Sequence, residues 1–207
     1  MYKQFIDNNE RSTTIDTSYE MHESQTPLSS DLSELFQMCG GRSYNNGVYR
    51  VHTIGSSIHW SELISDYFPN YKGKIVPFGF DWMGRQFCIK IDKPNMIYMF
   101  DPATAEDFEL KESLEQFHNH DLVFDRESIL SENSFHDILK LLNSTGIQFN
   151  DCVGYKVPLF LNGEDSITNY EITNTGVYWE FQRQIYTQIK DLPDGTKINE
   201  IKFNGKS

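Results

Sequence analysis

The stretch IVPFGFDWMGRQFCIKIDKPNMIYMFDPATAEDFEL, residues 75–110, decides the fold class. Three strand-like runs, Ile75 to Phe80, Gln86 to Ile91 and Met96 to Phe100, are followed by a shorter one at Phe108 to Leu110. The connections DWMG, DKPN and DPATAED are short and rich in turn residues, so consecutive strands are expected to pair as an antiparallel meander. Within DWMG, Asp81 favours the turn and Gly84 permits a positive φ, while Phe87 and Ile89 point to one strand face. Trp82 has two readings there: it folds back to cover the sheet end as core, or it stands out as a binding anchor.

Working outward, helical patterns flank this centre. Upstream, Asp31 and Glu34 form a capping-box-like start, Leu32, Leu35 and Phe36 fall at helical spacing, and Gly40-Gly41 supply a stop. Asn45-Asn46-Gly47 then reads as a hairpin-type turn leading into the strand VYRVHTI. Trp60, Leu63, Ile64, Tyr67 and Phe68 form an apolar helical stripe that ends at Pro69.

Downstream, Ser113 with Gln116 opens a helix towards Leu122, and Phe135, Ile138, Leu139 and Leu142 mark a second one from about Ser134. The last quarter combines an apolar run at Val157 to Leu161, a strand-like NYEIT and a helix carrying Val177, Tyr178, Phe181, Ile185 and Ile189. It closes with a turn at Asp194-Gly195 and an edge strand from Lys197 to Phe203. Strands in a meander with helices before and after predict an α+β protein, not a parallel βαβ one. Residues 1–29 read as a polar, loosely structured lead-in with a short helix at its start. Residues 30–207 read as a single domain, with room for a C-terminal subdomain from about 150.

Aromatic residues make up 14% of the 207, and Pro plus Gly number 20, a globular composition. The first residues hold no continuous apolar segment and no run reaches transmembrane length, so a cytoplasmic chain without a membrane partner is expected. Cys39, Cys88 and Cys152 are odd in number and far apart, which suits small buried hydrophobes better than a disulfide or zinc framework. Residues 101–137 carry 11 acids against Lys111 and Arg126, contributing −9 to a whole-chain charge of −12. Such a surface repels nucleic acid and favours a cationic partner, or is a solvated face that keeps the protein soluble.

GxGxxG, GxxxxGK[ST], GxSxG and HExxH are all missing. In HNHD, residues 118–121, two histidines at i and i+2 of a helix point roughly 200° apart and do not share an ion. Cys88 lies among bulky apolar residues and Cys39 at a helix end, neither placed for activation. Asp101 with Glu106 and Asp107 flanks one turn, which is ordinary turn chemistry. No catalytic, metal or cofactor site is expected.

Several stretches carry a resemblance. Leu32–Gly41 has the form LxxLFxxxGG, and it is followed by NNGVYRVH, FPNYKGKIVPFGFDWMGRQFCIKI, FDPATAEDFEL and GYKVPLFLNGEDSITNYEITNTGVYWEFQRQI. Across about residues 28–203 the chain resembles the SUKH superfamily of bacterial immunity proteins, most of all its type VI secretion immunity and GAD-like branch. The resemblance implies a bent, mostly antiparallel sheet flanked by helices. It also implies a non-enzymatic protein that binds and neutralises a cognate toxin, often a nuclease, of a polymorphic toxin system. Gly40, Gly41, Gly47, Trp82, Gly84 and Phe87 match its pattern as structural positions. With the acidic surface this yields a partner-binding set of Trp82, Tyr98, Asp101, Glu106, Asp107 and Glu109 facing a basic toxin. The alternative is a regulatory or small-ligand binding module of the same fold with no toxin partner.

Overall fold

The computed structural model of the chain describes residues 1–19, 28–193 and 195–203. In chain order the elements are α1 (Lys3–Asn8), α2 (Ser30–Cys39), β1 (Ser43–Tyr44), β2 (Tyr49–Val51), α3 (Ile54–Tyr67), β3 (Ile75–Asp81), β4 (Gln86–Lys90), β5 (Lys93–Asp101) and β6 (Glu106–Leu110). There follow α4 (Leu114–Gln116), a π-helical turn at Phe117–Asp121, α5 (Leu122–Phe124), α6 (Arg126–Leu130), α7 (Glu132–Leu141), β7 (Asp151–Tyr155), β8 (Tyr170–Asn174) and α8 (Thr175–Ile189). The six strands β1 to β6 form one sheet in sequence order, every neighbour antiparallel. The protein is therefore α+β with a meander at its centre, as the short turns require.

Strand alternation sends successive side chains to two cores. Phe78, Phe87, Ile89 and Ile97 meet α1, α2 and the helices from α4 to α7. Cys88, Tyr98 and Phe100 meet Trp60 and Ile64 of α3 and Tyr178 and Trp179 of α8. The sheet is thus covered by helices on both faces.

Local chemistry places most boundaries. The cap of α2 is Ser29, whose hydroxyl accepts from the Leu32 amide, two residues earlier than the Asp31 start expected. Thr53 and Ser56 cap each other reciprocally, which starts α3 well ahead of its apolar stripe. Gly79 lies at a register shift in the β3–β4 pairing, and a Cβ there would collide with the Tyr49 hydroxyl crossing the sheet.

Several expectations need correction. Residues 1–19 are not loose: Tyr2 and Phe5 are buried in the main core, and Arg11 forms a β-bridge to Tyr44. The strand-like NYEIT is β8 as expected, but its partner β7 is unexpected, and the apolar run Val157 to Leu161 contains only a 3-10 turn at Leu159–Leu161. Helix α8 buries Tyr178, Trp179, Gln182 and Ile185, so its inner face is rotated away from Val177, which is 64% exposed. No strand forms over 197–203. There the Gln188 side chain bonds both the N–H and the C=O of Lys202, and Phe203 stacks on Phe181, replacing a strand ladder. Asp194, and the lead-in residues His22 and Pro27, lie outside the described residues.

The two edges of the sheet are treated differently. At the β1 edge the N-terminal segment covers the backbone: the Ser12 amide donates to the Ser43 carbonyl at 2.8 Å and the Asn45 amide to the Glu10 carbonyl at 2.8 Å. Strand β2 reaches only residues 79–81 of β3, and α3 closes the rest with hydroxyls. Ser57 Oγ donates to the Pro77 carbonyl at 2.6 Å and Ser61 Oγ to the Ile75 carbonyl at 3.2 Å. At the other edge, among the described residues, β6 pairs with β5 alone.

Candidate functional site

The turn after β3 decides the first predicted site residue. Asp81 Oδ1 accepts from the Met83 and Arg85 amides at 3.0 Å each, and its Oδ2 holds Arg85 Nε at 2.6 Å, which shapes the turn from inside. The Trp82 backbone then bonds in both directions, its N–H to the Val48 carbonyl and its C=O to the Val153 amide. Its indole N–H donates to the Leu130 carbonyl at 2.5 Å and its ring packs on Phe135. Next along, the Gly84 carbonyl accepts the Trp179 indole N–H at 2.7 Å. Trp82 is 1% exposed, so the anchor reading is overturned. The later chain buries this turn, and Trp82 leaves the partner-binding set.

Tyr98 is also buried in its ring, at 4% exposure, yet its hydroxyl reaches the rim and donates to Glu109 Oε2 at 3.0 Å. Asp101 is half-buried and accepts the Ala103 amide at 2.8 Å, a turn cap and not a free surface charge. Burial raises its carboxyl above the ordinary value, opposed by the Ala103 hydrogen bond and the nearby Arg85.

Glu106, Asp107 and Glu109 are exposed on β6. The pairing Phe100 to Asp107 and Tyr98 to Glu109 sets these two acids on the face of the α3 and α8 core. Glu106 and Phe108 face the opposite side, in line with Asp101 and Met99. Phe108 is 41% exposed. Tyr71, just after α3, donates its hydroxyl to Asp107, and Lys90 Nζ lies 5.6 Å from the Tyr71 ring and 5.1 Å from the Tyr98 ring. The edge thus presents three carboxylates, two of them held by tyrosine hydroxyls, with one apolar ring on the other side. Sequence reasoning missed Tyr71, Lys90 and Phe108. Period-2 alternation already set Phe108 between two acids, but nothing local placed Tyr71 beside them.

The rest of the acidic segment is not one surface. Glu132 takes Arg126 Nε at 2.8 Å, Glu127 accepts the Asn133 amide, Asp125 accepts Ser128, Asp137 pairs with Lys140, and Asp121 is buried beside His120. These acids shape the turns and ends of α5 to α7.

The remaining candidates for chemistry are interior. His118 is fully buried, between Tyr49 and the Leu114 carbonyl, while His120 points outward. Burial raises all three cysteine thiols, Cys152 to about 12. Two neighbouring cavities of about 470 and 590 Å³ share Phe36 and Ile54 between α2 and α3. Among the described residues no helix is long and apolar enough to cross a membrane.

No protein-family model matches the chain, and no curated protein sequence matches it. Among solved structures, the crystal structure of Atu4351 from Agrobacterium tumefaciens is similar, with a TM-score of 0.56 at 12% identity over 89% of each chain. At that identity the likeness is one of fold, extending through nearly the whole of both chains.

Proposed function

We propose that this chain is a non-enzymatic binding protein that captures a basic protein partner on β6, acting as a bacterial immunity protein against a cognate secreted toxin. The observation that carries it is the convergence of Glu106, Asp107 and Glu109 with exposed Phe108 on one edge strand. Exposed carboxylates speed encounter with a cationic surface, and an apolar ring among them supplies contact area once docked. A nuclease fits the partner role because it must hold phosphates on a basic surface. The toxin itself is suggested by the resemblance to SUKH immunity proteins, with Glu106, Asp107 and Glu109 as the contact residues.

The test is capture from the native cell with the tagged chain, in parallel with a Glu106→Lys/Asp107→Lys/Glu109→Lys variant. The expected result is a basic protein held by the wild type and lost by the variant, toxic when expressed alone and harmless when co-expressed with this chain. Equal retention by both forms would remove β6 as the binding surface. A small-ligand reading is favoured by one feature, the paired cavities between α2 and α3. It would be supported if capture returns no protein and a metabolite co-purifies with the folded chain.

A further inference from the structure

We infer that the partner binds by strand addition: an extended segment bearing lysine or arginine at alternate positions joins the open edge of β6 as a seventh strand of the sheet. This rests on the reading that β6 is the partner surface, and it specifies how that surface is used.

The first ground is the contrast between the sheet's edges. The β1 edge is covered by residues 10–12, and the unpaired part of β3 is closed by two serine hydroxyls of α3. Among the described residues strand β6 receives no such cover. Its register with β5 runs unbroken from Asp101–Glu106 to Ile97–Leu110, with no bulge, and it contains no proline. Every second residue of such a strand turns its N–H and C=O away from the sheet, ready to pair. Of the usual blocks to edge pairing, bulge and proline are missing from β6, and among the described residues so is a covering segment.

Charge is the remaining block, and it is selective. A second copy of β6 would bring Glu106, Asp107 and Glu109 against the same acids, which is repulsive across a strand pair. A cationic strand reverses the sign of that interaction. On one face its basic side chains meet Asp107 and Glu109, held in place by the Tyr71 and Tyr98 hydroxyls. Lys90 over those two rings shows that an ammonium group is already accommodated on this face. On the other face Glu106 and Phe108 offer one charge and one apolar contact.

The test uses the synthetic peptide acetyl-VKVKVKV-amide and the peptoid with the same side-chain order, which keeps the charges and has no backbone N–H. Affinities are measured at low salt by calorimetry, together with amide exchange of the labelled protein. Strand addition predicts at least tenfold weaker binding of the peptoid and new protection of alternate amides within 106–110. The Glu106→Lys/Asp107→Lys/Glu109→Lys variant should lose the peptide. Glu171→Lys, on the exposed face of β8, should keep it. Equal affinity of peptide and peptoid, no gain in β6 protection, or no peptide binding overturns strand addition. If charge reversal still abolishes binding while peptide and peptoid bind alike, β6 remains the surface and only the mode falls. If charge reversal has no effect, both fall together.

Discussion

His52 and His118 show what burial does to a single titratable group in this core. His52 is fully buried between Ser56 Oγ and Gln86 Oε1, and desolvation lowers it to about 3, with Arg50 adding to the fall and the Gln86 hydrogen bond opposing it. Desolvation likewise brings His118 to about 4, against the hydrogen bond to Leu114. The unfolded chain binds these protons near pH 6.5 and the folded one does not, so the unfolded state gains on acidification. The stability both histidines lend is present in full above about pH 6.5 and is lost as pH falls towards 4, by up to about 1.4 kcal/mol per pH unit for each. Urea denaturation at pH 7 and pH 5 should therefore show a clear drop in midpoint. An unchanged midpoint would mean that the two rings take up protons in the folded protein. At this scale residue type was informative and environment was not. The cysteines read as inert from their apolar neighbours, and they are buried and unpaired. Trp82 could not be placed, because Leu130, Phe135 and Val153, which enclose it, lie far along the chain.

Among the elements, helix α3 does more than cover a sheet face. Its serines substitute for a missing strand, and the Ser57 hydroxyl satisfies a Pro77 carbonyl that β2 is too short to reach. Ser57→Ala should cost about 1–3 kcal/mol, the penalty of leaving that buried carbonyl unbonded. In a chemical denaturation series the midpoint should fall with the slope unchanged. A midpoint equal to wild type would show that water takes over the bond. The meander was legible because DWMG, DKPN and DPATAED leave the chain no other way to turn, and α7 because its apolar residues keep a strict helical spacing. Strand β7 carries no signal of its own: Asp151–Tyr155 is short, contains Gly154, and takes its pairing from β8 and Trp82. Periodicity marks helix α8 and two of its buried residues, Tyr178 and Ile185, but not its exact inner face, since Val177 and Phe181 fit the stripe as well as Trp179 does. Burial of the polar Gln182 at full depth has no signal in periodicity.

Across the whole molecule, the net charge of −12 is less concentrated than the sequence suggests. The acids of residues 121–137 are engaged in caps and local pairs with Arg126, Asn133, Ser128 and Lys140. Those of β6 remain on an open edge. The acidic character of the surface was therefore legible, while its division into structural and available charges needed the course of the chain. A sheet closed at one edge by the N-terminal segment and open at the other is a property of the complete topology, and no window of sequence contains it. The proposed partner-facing set shrinks accordingly, to Glu106, Asp107 and Glu109, with Tyr98 and Asp101 behind them.

The buried DWMG turn also sets an order of events for folding. Its two clasps, the Trp82 indole to Leu130 and the Trp179 indole to Gly84, span 48 and 95 residues. Contacts so distant in sequence form late, after local hairpins and helices. The β3–β4 hairpin should therefore assemble with its tryptophan still in water, and that ring should become dry only when α6 and α7, which carry Leu130 and Phe135, arrive. In a Trp60→Phe/Trp179→Phe background, where Trp82 is the sole tryptophan, its stopped-flow fluorescence change, excited at the red edge where tyrosine does not absorb, should lag the far-ultraviolet circular dichroism. Simultaneous traces would mean that the meander and the α6–α7 clasp fold as one cooperative unit.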